Sequence, residues 1–312
     1  MSSSNKLLVL LGPTASGKTQ LAVQLAVRLN GEIISADSRQ VYKGLDIGTG
    51  KDLHSYTLDE KKVPYHLIDT VENGEKYNVH QFNEDFSSAY LDITSRGKLA
   101  ILCGGTGMYI HQLLQPQAYT AVPIDESLRD KLRDLNKDVL IDKLNSLPIH
   151  INSVDVSSVK RIIRAIEVGE YLKLNALPPR TDIKFQSLVI GLCGDRPLLR
   201  KRIYKRLVDR LNNGLIEEGL ELNKNGLSFE MMRYYGLEYK FLADYLEGKM
   251  PKEEMIESLS IQINQYAKRQ ETYFRKMEKD GVAINWLDFT DSMEKNLSKS
   301  LNLAISNLDL TL

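Results

Sequence analysis

The feature that most constrains the chain is a phosphate-binding loop near its beginning. Residues 6–11 form an apolar run long enough for one buried strand, residues 12–19 have the sequence Gly-Pro-Thr-Ala-Ser-Gly-Lys-Thr, and a helical pattern of leucines follows. This is the spacing G-x-x-x-x-G-K-T in the strand, loop and helix context that it requires. Its glycines let backbone N–H groups wrap around anionic oxygens at the positive end of a helix. The loop therefore predicts binding of a di- or triphosphate, and leaves open what happens to it.

Two side chains at the end of the loop add specific chemistry. Lys18 supplies a positive charge to the phosphates, and the Thr19 hydroxyl supplies a ligand for Mg²⁺. The alternative interpretation, a glycine-rich turn with a surface lysine, leaves the flanking strand and helix unexplained.

Short apolar runs alternate with helical patterns along the first third of the chain. Further strands are predicted at residues 33–36, 63–69 and 99–103, and a helix at 79–95. This alternation indicates an α/β protein with a doubly wound parallel sheet, whose ligands bind at the carboxyl ends of the strands. The P-loop, Asp37 and Thr106 each follow an apolar run closely. We therefore expect them to converge on one site.

The pattern changes in the middle of the chain, where a charged, helical stretch without a strand-like run extends from about residue 124 to 181. Strand character returns at 187–193, and the rest is mostly helical, with a final strand expected at 283–287. We predict a first part of the P-loop core at 1–122, a helical insertion domain at 123–183, and the resumed core with a helical C-terminal region at 184–312.

Composition narrows the class of protein. The formal net charge is zero, so a polyanion would have to be bound by local patches. Cys103 and Cys193 both end apolar runs, which favours reduced core residues over a disulfide framework. The five histidines lack metal-ligand spacing. No stretch is long enough for a membrane span and no signal peptide is recognised, so we expect a cytoplasmic protein.

Asp37 is the first candidate for acid–base chemistry. Together with Ser38 it has the composition of a turn cap, but a carboxylate at a strand end beside a P-loop also suits a general base or a magnesium partner. The most apolar strand, 99–103, ends in glycines and not in an acid. Asp69, at the end of the predicted strand 63–69, is the only candidate for a Walker-B-type acid that would bind Mg²⁺. This pattern disfavours a motor or switch NTPase, which positions both a metal and a water.

Basic residues form three clusters on helical patterns. The clusters are Lys160, Arg161 and Arg164; Arg202, Lys205, Arg206 and Arg210; and Lys268, Arg269, Arg275 and Lys276 with the aromatic residues Tyr266, Tyr273 and Phe274. Each cluster alone is typical of a solvated helix face. Three in a neutral chain, one of them with aromatic residues, favour a polyanion such as a nucleic acid as a partner, since stacking with phosphate contacts is the usual way in which single-stranded RNA is bound.

Several motifs together resemble the bacterial tRNA dimethylallyltransferase family. They lie at residues 12–19, 34–42, 45–49, 66–69, 104–109, 160–168 and 265–270, in family order. The chain departs from the usual pattern at Ile263-Asn264, where the family has Thr-Arg, and at residues 236–239, where Gly-Leu-Glu-Tyr replaces Gly-Tyr-Lys-Glu.

The resemblance implies transfer of a dimethylallyl group from its diphosphate to N6 of the adenine immediately 3′ of a tRNA anticodon. It further implies a monomer that uses Mg²⁺ on Thr19, with Asp37 accepting the N6 proton and Thr106 fixing the adenine. For the diphosphate it implies Gly12, Pro13, Thr14, Ala15, Ser16, Gly17, Lys18 and Thr19, with Arg202 or Arg206. For tRNA it implies Asp37, Ser38, Arg39, Gln40, Thr106, Arg129, Lys160, Arg161, Ile162, Ile163 and Arg164.

Three other functions fit parts of the same pattern. An adenylate isopentenyltransferase would use the same donor with a free nucleotide as acceptor. A small-molecule P-loop kinase would transfer a phosphoryl group from ATP. A non-catalytic RNA-binding protein would keep the loop for structure alone.

Overall fold

The computed structural model describes residues 5–116, 118–147, 154–178 and 183–310. Two compact units divide the chain: a core unit made of Met1–Gln115 and Ile183–Leu312, and an inserted unit, Pro116–Asp182. The inserted unit begins earlier than residue 123, the predicted start. The reason is that the Arg164 side chain donates hydrogen bonds to the carbonyl oxygens of Tyr119 and Val122, at 3.1 and 2.6 Å, and ties this segment to the helices of the insertion.

The order of elements follows the alternation of apolar runs and helical patterns. Before the insertion come β1 (Lys6–Leu11), α1 (Lys18–Arg28), β2 (Gly31–Ala36), a 3₁₀ turn (Leu53–Tyr56), β3 (Thr57–Leu58), β4 (Lys61–Lys62), β5 (Tyr65–His66), α2 (Val79–Ser95), β6 (Leu99–Gly104) and α3 (Gly107–Leu114). The inserted unit contains a 3₁₀ turn (Ala118–Ala121), α4 (Glu126–Arg133), α5 (Lys137–Asn145) and α6 (Val159–Leu174). The chain continues with β7 (Gln186–Cys193), α7 (Arg196–Asn212), α8 (Leu215–Lys224), α9 (Phe229–Tyr234), α10 (Leu237–Leu246), α11 (Lys252–Lys279), β8 (Asn285–Asp288) and α12 (Met293–Leu308).

The main sheet of the core unit is parallel, with strand order β5-β2-β6-β1-β7-β8. In the middle, Leu8 of β1 lies between Ile101 of β6 and Leu188 of β7. All six residues of β2 and of β6 are buried, as is typical of a parallel sheet covered on both faces. The predicted doubly wound α/β fold is confirmed.

Alternation along β1 divides the apolar side chains between two cores, because successive residues of a strand point to opposite faces. Leu7, Val9 and Leu11 belong to a core that includes Phe82 of α2 and Phe274 of α11. On the other face, Leu8 and Leu10 pack in a second core with leucines of α1 and with Ala304 of α12. Helices therefore cover both faces of the sheet.

The inserted unit has a core of its own. Leu132 of α4, Leu140 of α5, and Ile162 and Ile166 of α6 form this cluster. The spacing of four residues between the two isoleucines places both on one face of α6. No strand occurs among the residues described for this unit, as the sequence predicts. Within the described part of the whole chain, no helix has the length and apolar character needed to cross a bilayer.

The strand predicted at 63–69 is much shorter in the structure, where β5 is only Tyr65–His66. Leu67 and Asp69 have φ angles of 60° and 56°, in the left-handed region, so the backbone leaves the sheet directly after His66. Asp69 therefore does not end a strand as the apolar run predicts. It lies in the turn beyond, which changes its role at the site described below.

An acidic residue, Glu32, is buried at the beginning of β2, with 1% of its side chain exposed. It accepts hydrogen bonds from Arg96 (Nη2–Oε2, 2.8 Å) and Lys98 (2.8 Å), and its Oε2 lies 2.8 Å from Nε2 of His66. Hydrogen bonding by Arg96, with Lys98 and His66 adding to it, holds the pKa of the Glu32 carboxyl well below its usual value. The cluster links β2 to β5 and to the end of α2.

We expect Glu32→Gln to lower the free energy of unfolding by about 3 kcal/mol at neutral pH, because it leaves two cations beside a neutral amide. Since the folded pKa is lowered, this contribution is complete above the unfolded value of about 4.5 and disappears as the pH falls below it. Urea unfolding of both proteins across this pH range measures the difference. Glu257→Gln, on the exposed face of α11, is the control; a gap that stays constant with pH would contradict the assignment.

Candidate active site

The P-loop lies between the end of β1 at Leu11 and the start of α1 at Lys18. Gly17 has a φ of 88°, a conformation that favours glycine, and Ala15 adopts the left-handed region at 62°. The Ser16 N–H donates to the Pro13 carbonyl at 3.3 Å, which closes the turn. The N-terminus of α1 therefore faces the concave side of the loop, the arrangement that binds anions.

Lys18 contacts the backbone of the loop that it belongs to. Its Nζ donates to the Pro13 carbonyl at 3.3 Å. Burial lowers the pKa of Lys18, and the nearby charge of Arg206 acts in the same direction. Burial disfavours the charged ammonium of Lys18. An anion placed beside it would stabilise that charge, and the two would attract each other strongly because little water screens them. This position suits a phosphate.

Two cavities of the core unit meet at this lysine. The first, about 500 Å³, is lined by residues 15–21 of the P-loop and α1 and by basic residues of α7; we call it the P-loop cavity. The second, about 400 Å³, contains Asp37 and is called the Asp37 cavity. Lys18, Thr19 and Arg206 line both. The prediction that the P-loop and Asp37 come together is thus met by the geometry.

The ends of β2 and β6 place Asp37 and Thr106. The Ser38 N–H donates to the Thr106 hydroxyl at 3.1 Å, and the Thr106 N–H donates to the Ala36 carbonyl at 3.1 Å. Such close approach depends on Gly104, since a Cβ there would lie 2.2 Å from the Ala36 oxygen. These bonds join the end of β6 to the turn after β2, which carries the candidate base Asp37.

Residues 37–40 form a tight turn with internal hydrogen bonds. The Arg39 N–H donates to Oδ1 of Asp37 at 2.9 Å, which leaves Oδ2 of the carboxylate for other partners. Gln40 accepts from the Ser35 hydroxyl at 3.0 Å and donates to the Gly50 carbonyl at 3.0 Å. Asp37 therefore does cap a turn, as one interpretation of the sequence has it, and the same carboxylate lines the cavity.

Both α7 arginines implied for the diphosphate lie at the P-loop cavity, in different environments. Nη1 of Arg206 lies 3.2 Å from the Thr14 hydroxyl of the P-loop, whereas Arg202 donates to the Phe289 carbonyl at 3.2 Å and packs over the Phe289 ring. Only Arg206 of the two also lines the Asp37 cavity. Arg206 therefore lies at the junction of the two cavities, and Arg202 lies in the wall of the P-loop cavity alone. This geometry favours Arg206 as the closer partner for a diphosphate.

A third arginine, Arg210, lies one helical turn further along α7 and belongs to the Asp37 cavity. Its Nη1 contacts Oε1 of Glu238 at 3.2 Å and the Gly48 carbonyl at 3.4 Å. Burial, followed by the charge of Arg206, lowers the pKa of Arg210. The spacing of four residues along a predicted helix indicated that Arg202, Arg206 and Arg210 share one face. The sequence pattern did not indicate which of these cations would be buried.

The glycine-rich segment 45–50 is a loop, as predicted, and it is firmly held. The backbone N–H groups of Asp46, Ile47 and Gly48 donate to the Glu218 carboxylate at 2.9, 2.7 and 3.0 Å. The Tyr239 hydroxyl donates to the same carboxylate at 2.6 Å. The carbonyls of this loop in turn accept from Gln40, Arg206 and Arg210. No motif in the sequence indicated Glu218 as a support of the site.

Lys51 anchors the other end of this loop from a fully buried position. Its Nζ donates to the Tyr42 carbonyl at 2.8 Å, contacts Asp46 at 2.6 Å, and forms an ion pair with Asp69. The interpretation of Asp69 as an acid for Mg²⁺ is therefore wrong for this structure. Because β5 ends at His66, Asp69 pairs with Lys51 beneath the loop and does not line either cavity.

Glu218→Gln should loosen the loop, because an amide replaces one acceptor oxygen with a donor that faces backbone N–H groups. The free energy of local opening should fall by about 1–3 kcal/mol, and amide hydrogen exchange at residues 46–48 should accelerate about 5- to 150-fold. Mass-spectrometric exchange measures this directly. Glu217→Gln changes the exposed neighbour on α8 and should leave those amides unaffected; equal effects of the two variants would contradict the role of Glu218.

The mouth of the Asp37 cavity combines cations with aromatic rings. The Arg39 guanidinium lies 5.4 Å from the centroid of the Tyr234 ring, and that of Arg269 lies 5.9 Å from the centroid of Tyr266. All four residues line the cavity. Rings and guanidinium planes stack on nucleotide bases, and cations bind phosphates. Arg269 and Tyr266 belong to the basic aromatic cluster seen in the sequence, whereas Tyr234 was not anticipated.

The basic residues implied for tRNA in the inserted unit differ in availability. Arg129 and Arg164 both bind the buried Glu167: Nε of Arg129 lies 2.9 Å from Oε1, and Arg164 forms an ion pair with Oε2. The Ile162 and Ile163 side chains are buried in the core of the unit. A contact of either isoleucine with RNA would therefore have to come from its backbone. Lys160 and Arg161 are exposed, and Arg161 forms an ion pair with the exposed Asp155.

A Mg²⁺ ion fits the donors of this site only together with a phosphorylated ligand. The Thr19 hydroxyl and the Asp37 carboxylate line one cavity with Lys18. No group of three or more His, Cys, Asp or Glu side chains suited to a metal occurs among the described residues. Mg²⁺ is commonly bound by one or two protein oxygens, several waters and substrate phosphates. These donors are compatible with that mode.

Cys103 also lines the Asp37 cavity. Burial raises the pKa of Cys103 to about 11, so this thiol in the cavity stays protonated at neutral pH.

Fold and site together define a P-loop enzyme of the doubly wound α/β class, with a basic P-loop cavity joined to a second cavity that carries a carboxylate. Comparison with known proteins refines the class. Residues 40–277 match the model of the IPP transferase family. The chain therefore belongs to the IPP transferase family.

Close relatives extend over nearly the entire chain. It is 46% identical over 305 residues to tRNA dimethylallyltransferase 1 of Parabacteroides distasonis, covering 98% of this chain and 99% of the relative. It is 48% identical over 297 residues to tRNA dimethylallyltransferase 2 of Phocaeicola vulgatus, covering 95% and 97%.

Solved structures agree with this relationship. The tRNA isopentenylpyrophosphate transferase of Bacillus halodurans superimposes with a TM-score of 0.71 at 32% identity, covering 98% of this chain and 97% of that one. A eukaryotic dimethylallyltransferase described as acting on tRNA gives a TM-score of 0.76 at 27% identity, covering 97% and 79%.

Proposed function

We propose that this protein transfers a dimethylallyl group from dimethylallyl diphosphate to N6 of the adenine immediately 3′ of the anticodon in tRNA, giving N6-(dimethylallyl)adenosine and diphosphate. The observation that carries the proposal is the meeting of two cavities at Lys18, Thr19 and Arg206, one lined by the P-loop and the other by Asp37. A donor diphosphate and an acceptor base each need such a cavity, and membership of the family supports these substrates.

The P-loop cavity binds the diphosphate of the donor. Loop N–H groups, Lys18 and Arg206 surround this position, and Arg202 contributes charge from the wall. As the bond between the first carbon of the dimethylallyl group and the diphosphate oxygen breaks, its electron pair leaves with the diphosphate. Donors already aimed at the developing charge lower the barrier, because they need little reorganisation. Mg²⁺ bound by the Thr19 hydroxyl and the diphosphate would add positive charge at the leaving group.

Asp37 acts at the acceptor. The lone pair of the exocyclic adenine amine is conjugated with the ring, which makes N6 a poor nucleophile. As the bond between N6 and the donor carbon forms, one N6 proton passes to the Asp37 carboxylate. Oδ1 is held by the Arg39 N–H at 2.9 Å, so Oδ2 is the oxygen available for this transfer. Thr106 fixes the turn through Ser38 and contributes to binding of the adenine.

The target adenine must leave the anticodon stack to enter the Asp37 cavity, which costs a few kcal/mol. Arg39 with Tyr234 and Arg269 with Tyr266 compensate by stacking and by phosphate contacts at the mouth. In the inserted unit we assign direct tRNA contact to the exposed Lys160 and Arg161. Arg129 and Arg164 support that unit through Glu167.

Asp37→Asn should reduce turnover about 10²–10⁴-fold, because the amide retains the shape of the carboxylate and cannot accept the proton. Binding of tRNA should be largely unchanged. Transfer of labelled dimethylallyl under single-turnover conditions and filter binding of tRNA measure the two quantities. Asp59→Asn, in an exposed turn that lines neither cavity, is the control. Turnover close to wild type would indicate that another group takes the proton.

The acceptor is tested by offering an anticodon stem-loop and AMP in parallel with labelled dimethylallyl diphosphate. We expect modification of the stem-loop only, since the mouth of the Asp37 cavity offers stacking and phosphate contacts beyond a single nucleotide. Transfer to AMP alone would identify an adenylate isopentenyltransferase. Release of ADP from ATP with a small-molecule acceptor would instead identify a kinase.

A further inference from the structure

Arg206, the arginine between the two cavities, already binds a carboxylate of this chain. Its Nη2 lies 2.9 Å from Oδ2 of Asp52 and 3.3 Å from the Gly50 carbonyl, while Nη1 contacts the Thr14 hydroxyl at 3.2 Å. Asp52 lines the P-loop cavity, and its side chain is 43% exposed. A carboxylate of the protein thus pairs with one side of the Arg206 guanidinium, next to the P-loop.

The other carboxylates lining the P-loop cavity have different partners. Asp209 binds Lys205 of the same helix at 2.9 Å, and Asp291 binds Lys295 and Lys299 at 2.7 and 3.0 Å. In the described part of the chain, neither of them forms an ion pair with Arg206. Asp52 is therefore distinguished by its partner and not merely by its negative charge.

We propose that Asp52 is a positioning residue that competes with the diphosphate for Arg206. In the free enzyme Asp52 holds the guanidinium at the P-loop; when the diphosphate binds, Arg206 exchanges the carboxylate for phosphate oxygens, and after transfer Asp52 recovers it and promotes release of the product. The identity of the anion as diphosphate rests on the proposed function. The competition itself follows from the placement of the ion pair on the cavity wall.

Charge and backbone geometry both support a test by Asp52→Asn. Removing a negative charge near a polyanion strengthens binding, most where solvent screening is incomplete. Asp52 has a φ of 46°, in the left-handed region, where asparagine is among the best tolerated residues. The variant therefore changes charge and preserves shape. It should bind inorganic pyrophosphate about tenfold more tightly, an effect that a damaged loop would not produce.

Isothermal titration with inorganic pyrophosphate and Mg²⁺ measures this affinity without donor or tRNA. Asp209→Asn is the matched control: it removes the same charge from the same cavity but leaves the Arg206 pair intact, so its affinity should stay within about twofold of wild type. In transfer assays, inhibition by pyrophosphate should become stronger in Asp52→Asn by the factor found in titration.

A double-variant cycle isolates the part played by Arg206. Asp52→Asn should tighten pyrophosphate binding in the wild-type background and have little effect beside Arg206→Gln. Unchanged or weaker binding by Asp52→Asn, equal tightening by Asp209→Asn, or full tightening without Arg206 would each overturn the inference. A wild-type protein that binds pyrophosphate but forms no dimethylallyladenosine would refute the proposed function and leave this competition to be judged by titration.

Discussion

Parallel pairing of β6 with both β1 and β2 is the interaction on which the site depends. It aligns the ends of neighbouring strands at one edge of the sheet, so that the P-loop after Leu11 and the turn after Ala36 face a common space. Gly104 permits the closest approach, between β6 and β2. Lys18 and Asp37 reach the site from this edge, whereas Arg206 and Arg210 reach it from α7.

Placing cations at this edge creates an electrostatic problem that the surrounding chain resolves. Lys18 and Arg210 have lowered pKa values because they are withdrawn from water, and Arg206 lies between them. The loop at 45–50 supplies carbonyl acceptors to Arg206 and Arg210. The Glu218 carboxylate in turn accepts hydrogen bonds from the backbone N–H groups of this loop. A preformed arrangement of this kind binds an anionic ligand without first having to assemble.

The inserted unit shows why basic residues on a helix are ambiguous evidence for RNA binding. Arg129 and Arg164 converge on one buried glutamate, whereas Lys160 and Arg161 remain exposed on the first turn of α6. Three of them, Lys160, Arg161 and Arg164, lie within five residues of one another in the sequence. Burial of Glu167 decides the difference, because a carboxylate removed from water needs cationic partners.

Local sequence determined much of this protein by itself. The apolar run before the P-loop, the Gly-Lys-Thr spacing, the alternation of strands and helices, and the row of arginines on α7 follow from short-range periodicity and turn chemistry, which operate within a few residues. Only the tertiary structure decided that Asp69 pairs with Lys51, that Glu218 binds a loop about 170 residues before it, and that Asp52 holds Arg206. Those contacts join segments far apart in the chain, and their strength comes from burial and from distances that no local pattern encodes.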